Sequence, residues 1–140
     1  MPCLELSIPR LDFETKQALN ARLTEAFVDN TRFDADIFGI RYLEYDKDQT
    51  SSGGKKWSGG DEKPYIHFVF YGPRLTHNEK QKLVKAFTES YTDCIGKSNW
   101  QPVIYIIELP YDNIGVKGSL LSKADKERAK TDFYYKLPKD

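Results

Sequence analysis

The sequence predicts a mixed α/β (α+β) domain of two tandem β-α-β units that form a four-stranded sheet with two helices on one face. An internal repeat, an alternating apolar pattern and a helical apolar spacing support this prediction. The repeat has an offset of 64 residues, which lays residues 9–11 on residues 73–75 as Pro-Arg-Leu in both copies. Two copies are too few for a solenoid, which needs about three stacked units, so a fused domain is expected. Other identities at this offset pair Lys16, Gln17, Leu19, Thr24, Glu25, Ile40 and Glu44 with Lys80, Gln81, Leu83, Thr88, Glu89, Ile104 and Glu108.

Each copy contains two predicted strands. Apolar residues alternate with polar ones over residues 4–8, and residues 65–70 form the counterpart in the second copy. The second strands are expected at residues 40–45 and 103–109. Because residues 103–109 are almost continuously apolar, we expect this strand to be buried in a parallel sheet.

A helix is predicted between the two strands of each copy. Asp12 and Thr76 precede these helices and are the expected N-caps, since a short side-chain oxygen can accept the free N–H groups of the first turn. The apolar residues at helical spacing are Leu19, Leu23, Ala26 and Phe27 in the first copy, and Leu83, Phe87 and Tyr91 in the second.

The whole chain, residues 1–140, is expected to form a single domain, because its length provides for one sizeable core. We assign the first repeat to residues 2–60, the second to residues 64–123 and a C-terminal tail to residues 124–140. The polar linker contains Ser-Ser-Gly-Gly, which predicts a mobile loop, and Trp57, whose ring needs an apolar surface to pack on.

The composition excludes several classes of protein. Acidic and basic residues balance at 21 each, so there is no charge surplus for sequence-independent nucleic-acid binding. No apolar run is long enough to span a membrane, and the first residues do not resemble a signal peptide. Cys3 and Cys94 form neither a disulfide framework nor a metal motif, so we expect reduced thiols and a cytoplasmic location.

The repeat, Pro2 directly after the start methionine, and the segment 106–118 together resemble the tautomerase superfamily. The similarity is greatest to its fused members, such as the cis-3-chloroacrylic acid dehalogenases and malonate semialdehyde decarboxylases. Segment 106–118 is similar to the closing strand and hairpin of 4-oxalocrotonate tautomerase (4-OT), and Arg10 and Arg74 match an arginine after the family's first strand. This resemblance implies a homotrimer of fused chains that acts on a small carboxylate without a cofactor.

Pro2 is the candidate catalytic base. Removal of the initiator methionine would leave a secondary amine, and an ordinary terminal amine titrates at about pH 7.7–8.0. Burial and nearby guanidinium groups disfavour its charged form, so the amine would be neutral near pH 7 and able to move a proton to carbon. The corresponding residue of the second copy, Ile66, is internal and has no free amine.

The resemblance implies a further set of site residues. Arg74 is expected to bind the substrate carboxylate through two parallel hydrogen bonds, with Arg10 or Arg41 as a second cation. Tyr105 matches the tyrosine that helps to activate water in the fused dehalogenases, and its repeat partner is Arg41. Either Trp57 or Ile114 is expected to form the apolar wall that an aromatic residue provides in 4-OT.

Departures from the family pattern favour keto–enol tautomerisation over the other reactions. Tyr71 replaces a second arginine of the dehalogenases, and Val116 replaces the glutamate that positions water. Asp34 or Asp36 matches an aspartate of the decarboxylases only loosely. We therefore expect a tautomerase for a 2-oxo or 2-hydroxyalkenoic acid, with a hydratase, dehalogenase or decarboxylase and a non-catalytic trimeric binding protein as alternatives. The two histidines have no partners at metal-ligand spacing, so no metal site is expected.

Overall fold

The computed structural model describes residues 2–124, so nearly all of the expected tail lies outside the described residues. Two short 3-10 turns, Ala35–Ile37 and Tyr111–Asn113, interrupt the connections. Within the described part of the chain, no helix has the length and apolar character needed to cross a bilayer. The elements in chain order are β1 (Cys3–Pro9), α1 (Phe13–Asn30), β2 (Gly39–Tyr45), β3 (Ser51–Ser52), β4 (Lys55–Lys56), β5 (His67–Gly72), α2 (His77–Ile95), β6 (Val103–Glu108), β7 (Gly115–Val116), β8 (Ser119–Leu120) and α3 (Leu121–Ala124).

The main sheet confirms the predicted pair of β-α-β units. Its strand order is β2-β1-β5-β6. Strands β1 and β2 run parallel, as do β5 and β6, whereas β1 and β5 are antiparallel neighbours at the centre. The two units are therefore related by a reversal of direction, and equivalent ends of the two copies lie at opposite ends of the sheet.

Both long helices begin at the predicted caps. The Asp12 side chain accepts the backbone N–H of Thr15 at 2.7 Å. Thr76 and Glu79 form a reciprocal capping box at the start of α2, and Gly96 ends this helix in the left-handed conformation that favours glycine. The two copies therefore use the same local signals to begin their helices.

The core lies between the helices and one face of the sheet. Leu4, Leu6 and Ile8 of β1 are fully buried on this face, as are Phe68 and Phe70 of β5. Several phenylalanines form a continuous aromatic layer on it, and the closest pair is Phe27 with Phe38, at 4.3 Å between ring centroids. The helices add further fully buried side chains to this core, which are Leu19, Leu23, Phe27, Leu83, Phe87 and Tyr91.

The expectation that residues 103–109 form a buried strand is wrong. Strand β6 lies at the edge of the sheet, and its side chains alternate between the helix-covered face and the uncovered face. On the uncovered face Val103, Tyr105 and Ile107 are each exposed by more than two fifths. The apolar side chains of this run therefore lie on both faces of the sheet, and the helices cover only one of these faces.

The expected mobile loop at residues 51–54 is instead a short hairpin of β3 and β4, with Gly53 and Gly54 at positive φ. Strands β7 and β8 form the equivalent hairpin in the second copy, where Lys117 and Gly118 occupy the turn. The residue numbers of the two hairpins differ by 64, the offset of the sequence repeat. The duplication therefore extends to every described strand and long helix of the fold.

Candidate active site

Pro2 is buried at one end of the sheet, immediately before the central strand β1. Its carbonyl oxygen accepts the backbone N–H of Gly39 at 3.0 Å, which ties it to the start of β2. The antiparallel register pairs Cys3 with Tyr71, so Pro2 lies beside the end of β5. Because side chains alternate along a strand, the Pro2 ring lies on the helix-covered face with Leu4. Pro2 is thus shielded from water.

Arg74 follows β5 and lies at the same end of the sheet as Pro2. Its side chain is exposed, and within residues 2–124 no hydrogen bond or ion pair engages its guanidinium. Arg10, its repeat counterpart, pairs with Asp46 at 3.2 Å. The residue equivalent to Asp46 in the second copy is Pro110, which has no charge. Of these two arginines, Arg74 is therefore the one left available to an anion.

Side chains from other elements bind the backbone of the loop that carries Arg74. The Glu108 carboxylate accepts the backbone N–H of Leu75 at 3.0 Å and pairs with the Lys80 ammonium group. Arg32, from the segment after α1, donates to the carbonyl oxygen of Arg74 at 2.8 Å. The same guanidinium binds both carboxylate oxygens of Glu79 at 3.0 and 3.1 Å, a bidentate arrangement. The loop is thus fixed from β6, α2 and the first copy.

Arg10 and Trp57 lie at the opposite end of the sheet from Pro2. A strand rises about 3.3 Å per residue, so the length of β1 separates Pro2 from Arg10 by roughly 25 Å. Trp57 packs edge-on against Tyr45 at 5.9 Å, near the end of β2. The expectation that these two residues surround Pro2 is therefore not met within one chain, because the antiparallel centre of the sheet directs the two copies in opposite directions.

Arg41 and Tyr105 lie in one row across the uncovered face of the sheet, together with Glu5 and Val69. The Arg41 guanidinium is 3.6 Å from the Glu5 carboxylate. The Tyr105 hydroxyl lies 3.5 Å from that of Tyr65, away from Pro2. Within one chain, neither residue shares the helix-covered face with the Pro2 ring.

Ile114 lies in the segment that ends the sheet on the Pro2 side and packs partly buried against the core. Its carbonyl oxygen accepts the N–H of Leu121 at 2.8 Å, and the Thr50 carbonyl accepts the N–H of Trp57 at the same distance. These matching bonds make Trp57 equivalent to Leu121, and Ile114 equivalent to Thr50. The two candidates for the apolar wall are therefore not repeat counterparts of each other.

The uncovered side of the Pro2 end carries Cys3, Glu5 and Tyr71. Burial raises the pKa of the Cys3 thiol, and the nearby Glu5 carboxylate adds to the shift. A hydrogen bond with Glu5 raises the pKa of the Tyr71 phenol. Both groups therefore stay protonated near pH 7, so neither is a thiolate or phenolate that competes with Pro2 as a base.

Sequence reasoning missed the residues that position the Arg74 loop. Lys80 and Glu108 recur at the repeat offset as Lys16 and Glu44, so their opposite charges were a usable signal. Arg32 has no such signal, because its repeat counterpart is a glycine, Gly96. Among the described residues, no group of three or more His, Cys, Asp or Glu side chains is placed to hold a metal ion.

Residues 64–124, which include the Arg74 loop and the second hairpin, match the family model described as "Tautomerase enzyme". No curated protein sequence matches the chain. Among solved structures, a fused 4-OT in an asymmetric trimer shares 22% identity and a TM-score of 0.72, covering 87% of this chain and 98% of that chain.

Two other solved structures have the same fold. A protein inactivated by 2-oxo-3-pentynoate shares 19% identity and a TM-score of 0.74, covering 87% of this chain and 97% of that chain. A member of the cis-3-chloroacrylic acid dehalogenase family shares 17% identity and a TM-score of 0.70, covering 93% of this chain and 92% of that chain. Identities of this size show a common fold.

Proposed function

We propose that this chain, whose residues 64–124 match the tautomerase family model, is a keto–enol tautomerase in which Pro2 transfers the proton. The observation that carries the proposal is the placement of a buried Pro2 at the same end of the sheet as the unpaired Arg74. Removal of Met1 would make Pro2 a secondary amine, whose charged form is disfavoured by burial and by a nearby cation.

The proposed reaction needs only these two groups and an apolar wall. Arg74 binds the carboxylate of a 2-hydroxyalkenoic acid through two parallel hydrogen bonds. The neutral Pro2 amine accepts the proton of the 2-hydroxyl group as the carbonyl forms, and the resulting ammonium group returns a proton to the substrate carbon. Ile114 lies at this end of the sheet and is the residue proposed to limit water access.

The structural arrangement of Arg10, Arg41, Tyr105 and Trp57 limits their proposed roles. Arg10 and Trp57 are distant from Pro2 in the same chain, and Arg41 and Tyr105 lie on the uncovered sheet face. A contribution from Arg10 or Trp57 to the Pro2 site would have to come from another subunit, whereas the Arg41 guanidinium acts electrostatically on Cys3, the residue next to Pro2. The proposal for a single chain therefore rests on Pro2 and Arg74.

We also propose that three chains assemble through the uncovered sheet face. Exposed apolar side chains in a contiguous area typically mark an interaction surface. Val103, Tyr105 and Ile107 of β6 are 41–51% exposed there, Leu43 is 43% exposed on the same face at the opposite edge of the sheet, and a fused 4-OT of the same fold is a trimer. Both cysteines are free, as expected in a reducing compartment, so we propose a cytoplasmic location.

Ultraviolet-monitored ketonisation of phenylenolpyruvate and 2-hydroxymuconate tests the proposed reaction. We expect untagged protein to accelerate ketonisation, Pro2→Ala to remove most of the activity, and Arg74→Met to raise KM about tenfold or more, since a charge-assisted hydrogen bond contributes roughly 1.5–3 kcal/mol. Arg10→Met is the matched control and should retain activity. Equal activity of the wild type and Pro2→Ala would refute the role of the amine.

Labelling by 2-oxo-3-pentynoate gives a second readout that does not depend on the physiological substrate. An amine can add to the activated triple bond of this acid, so we expect one adduct on the peptide that contains Pro2. Protein that retains Met1, identified by its intact mass, should remain unlabelled. An adduct at another residue, or equal labelling of both forms, would contradict the proposed nucleophilic amine.

A hydration or dehalogenation reaction at the same site is the second candidate. The similarity to a member of the cis-3-chloroacrylic acid dehalogenase family supports it, but Tyr71 and Val116 replace two groups that those enzymes use. Parallel assays with 3-chloroacrylate separate the candidates, because only dehalogenation releases chloride. We expect ketonisation without chloride release.

A further inference from the structure

We propose that the end of the sheet opposite Pro2 holds a second ligand site, which binds a small aromatic carboxylate without converting it. A cavity of about 470 Å³ lies there. This volume is within the range of about 300–1,000 Å³ typical of small-molecule sites. The loop after β1, the start of α1, the segment after β4 and the end of α2 together form its walls.

The cavity is the repeat counterpart of the Pro2 end. Arg10 lines it, as the equivalent of Arg74. The residue equivalent to Pro2 is Ile66, which is 1% exposed and joined to its neighbours by ordinary peptide bonds. The duplicated end therefore keeps an arginine but has no amine for proton transfer, so a bound acid would not be tautomerised there by the Pro2 mechanism.

Two fixed indole rings form the aromatic part of the wall. Trp57 and Trp100 meet edge to face, with ring centroids 6.1 Å apart and an interplanar angle of 88°. The Trp57 indole N–H donates to the Glu62 carbonyl at 2.8 Å, and the Trp100 indole N–H donates to the Asp61 carbonyl at 3.4 Å. Both indoles are thus oriented by the backbone. Because the two rings are perpendicular, a planar aromatic ligand can stack on the face of one indole and contact the edge of the other.

A buried hydroxyl adds a polar group to this apolar wall. Tyr91 lines the cavity, and its hydroxyl is buried without a hydrogen-bond partner among the described residues. A buried donor without a partner is unfavourable. The Tyr91 oxygen is closed to solvent, so a hydrogen bond to a ligand would require the side chains around it to move. Burial also raises the pKa of Tyr91, which therefore stays protonated and remains a donor near pH 7.

The cations of the cavity form exposed ion pairs. Arg10 pairs with Asp46 and Lys97 pairs with Asp61, each at 3.2 Å, and the Asp61 side chain is 99% exposed. Exposed ion pairs contribute little to stability, so a ligand carboxylate can replace either acid at low cost. The remaining acid of the wall, Asp12, is engaged as the cap of α1 and accepts the N–H of Thr15.

The ammonium group of Lys97 connects the charged and aromatic parts of the cavity. It lies 4.0 Å from the centre of the Trp100 ring, within the range of a cation–π interaction. A carboxylate bound near Lys97 would therefore place its attached ring beside the indoles. This combination of fixed aromatic walls with a displaceable cation is the reason to assign an aromatic carboxylate as the ligand class.

The chain has only two tryptophans, and both line this cavity. Intrinsic tryptophan fluorescence therefore reports on this end of the sheet and not directly on Pro2. Titration of the full chain with phenylacetate should give a saturable change in fluorescence, and isothermal titration calorimetry should give the same Kd. The neutral analogue 2-phenylethanol and the cation phenethylamine are the comparison ligands.

Single substitutions separate this site from the Pro2 end. We expect Arg10→Met and Lys97→Met each to weaken phenylacetate binding about three- to tenfold, and Arg74→Met and Pro2→Ala to leave its Kd unchanged. Circular dichroism verifies that each variant is folded. A calorimetric titration without saturable binding overturns the site, and loss of binding in Arg74→Met reassigns it to the Pro2 end. Equal affinity for 2-phenylethanol refutes the carboxylate specificity.

The two ends can fail independently, because the cavity does not use Pro2. If Pro2→Ala removes activity while phenylacetate still binds, both proposals stand. If ketonisation is absent but phenylacetate binds with the expected dependence on Arg10, only the proposed function fails.

Discussion

Glu108 accepts a hydrogen bond from the backbone N–H of Leu75 at 3.0 Å, and so joins the end of β6 to the loop that carries Arg74. The first copy repeats this bond, since Glu44 accepts the backbone N–H of Leu11 at 2.7 Å. Lys80 and Lys16 pair with the second oxygen of the respective carboxylates. Each copy thus ties its arginine loop to its second strand, and the two ties can be tested against each other.

Glu108→Gln and Glu44→Gln form a matched pair of substitutions. Each removes one ion pair while it keeps an acceptor for the loop, so we expect each to lower the free energy of unfolding by about 1 kcal/mol. Only Glu108→Gln should raise KM, by about three- to tenfold, because only its loop carries the proposed carboxylate ligand. Urea denaturation and ketonisation kinetics measure the two effects. An equal rise of KM in both variants would show that the loss is general.

Glu44 should make the stability of the fold depend on acidic pH. Burial acts to raise its pKa, but hydrogen bonds from Lys16 and from the backbone of Leu11 outweigh this and lower the pKa below its ordinary value of 4.5. A carboxyl with a lowered folded pKa stabilises the fold fully above the unfolded pKa, and this contribution is lost as the pH falls through the folded pKa. The Tm difference between wild type and Glu44→Gln should therefore shrink below pH 4.5. A difference that is constant with pH would contradict the role of ionisation.

The unpaired hydroxyl of Tyr91 predicts a stabilising substitution. Tyr91→Phe should raise the free energy of unfolding by about 1 kcal/mol, because it removes a buried polar group that lacks a partner. Tyr45→Phe is the control and should lower it by about 1 kcal/mol, since the Tyr45 hydroxyl donates to the Tyr65 carbonyl at 2.5 Å. Thermal and urea denaturation of the two variants give the comparison. A loss of stability in Tyr91→Phe would reveal a partner for this hydroxyl.

The uncovered sheet face predicts how a charge affects assembly. Ile107→Asp places a carboxylate among the exposed apolar side chains of this face, and we expect it to shift the proposed trimer to smaller species. Phe13→Asp is the control, because Phe13 is 71% exposed at the start of α1, away from that face. Light scattering coupled to size exclusion measures the masses. A trimer that persists in Ile107→Asp would exclude this face as the interface.

Local patterns and the repeat predicted most of the fold. Asp12 and Thr76 are caps because their side chains act within three residues of themselves, which a sequence displays directly. The burial of β6 was predicted wrongly, because a continuous apolar run does not reveal whether both faces are covered by the same chain. Here the helices cover one face, and Tyr105 remains on the other.

The candidate site was predicted less completely than the fold. The sequence does not display whether the two copies pair in parallel or antiparallel, because this pairing depends on residues far apart in sequence. The antiparallel contact of β1 with β5 brings Arg74 to Pro2 and takes Arg10 away from it. By contrast, the different availability of the two arginines was readable from the repeat, because Asp46 aligns with the uncharged Pro110.

The pairing of β1 with β5 also affects how the protein behaves on dilution. Two separate β-α-β chains would have to meet in solution to form this sheet, whereas here one polypeptide joins them. A short covalent connection gives the partners an effective concentration on the order of millimolar, whatever the protein concentration. The pairing of the two halves should therefore be independent of protein concentration, and only the association of whole chains remains subject to mass action.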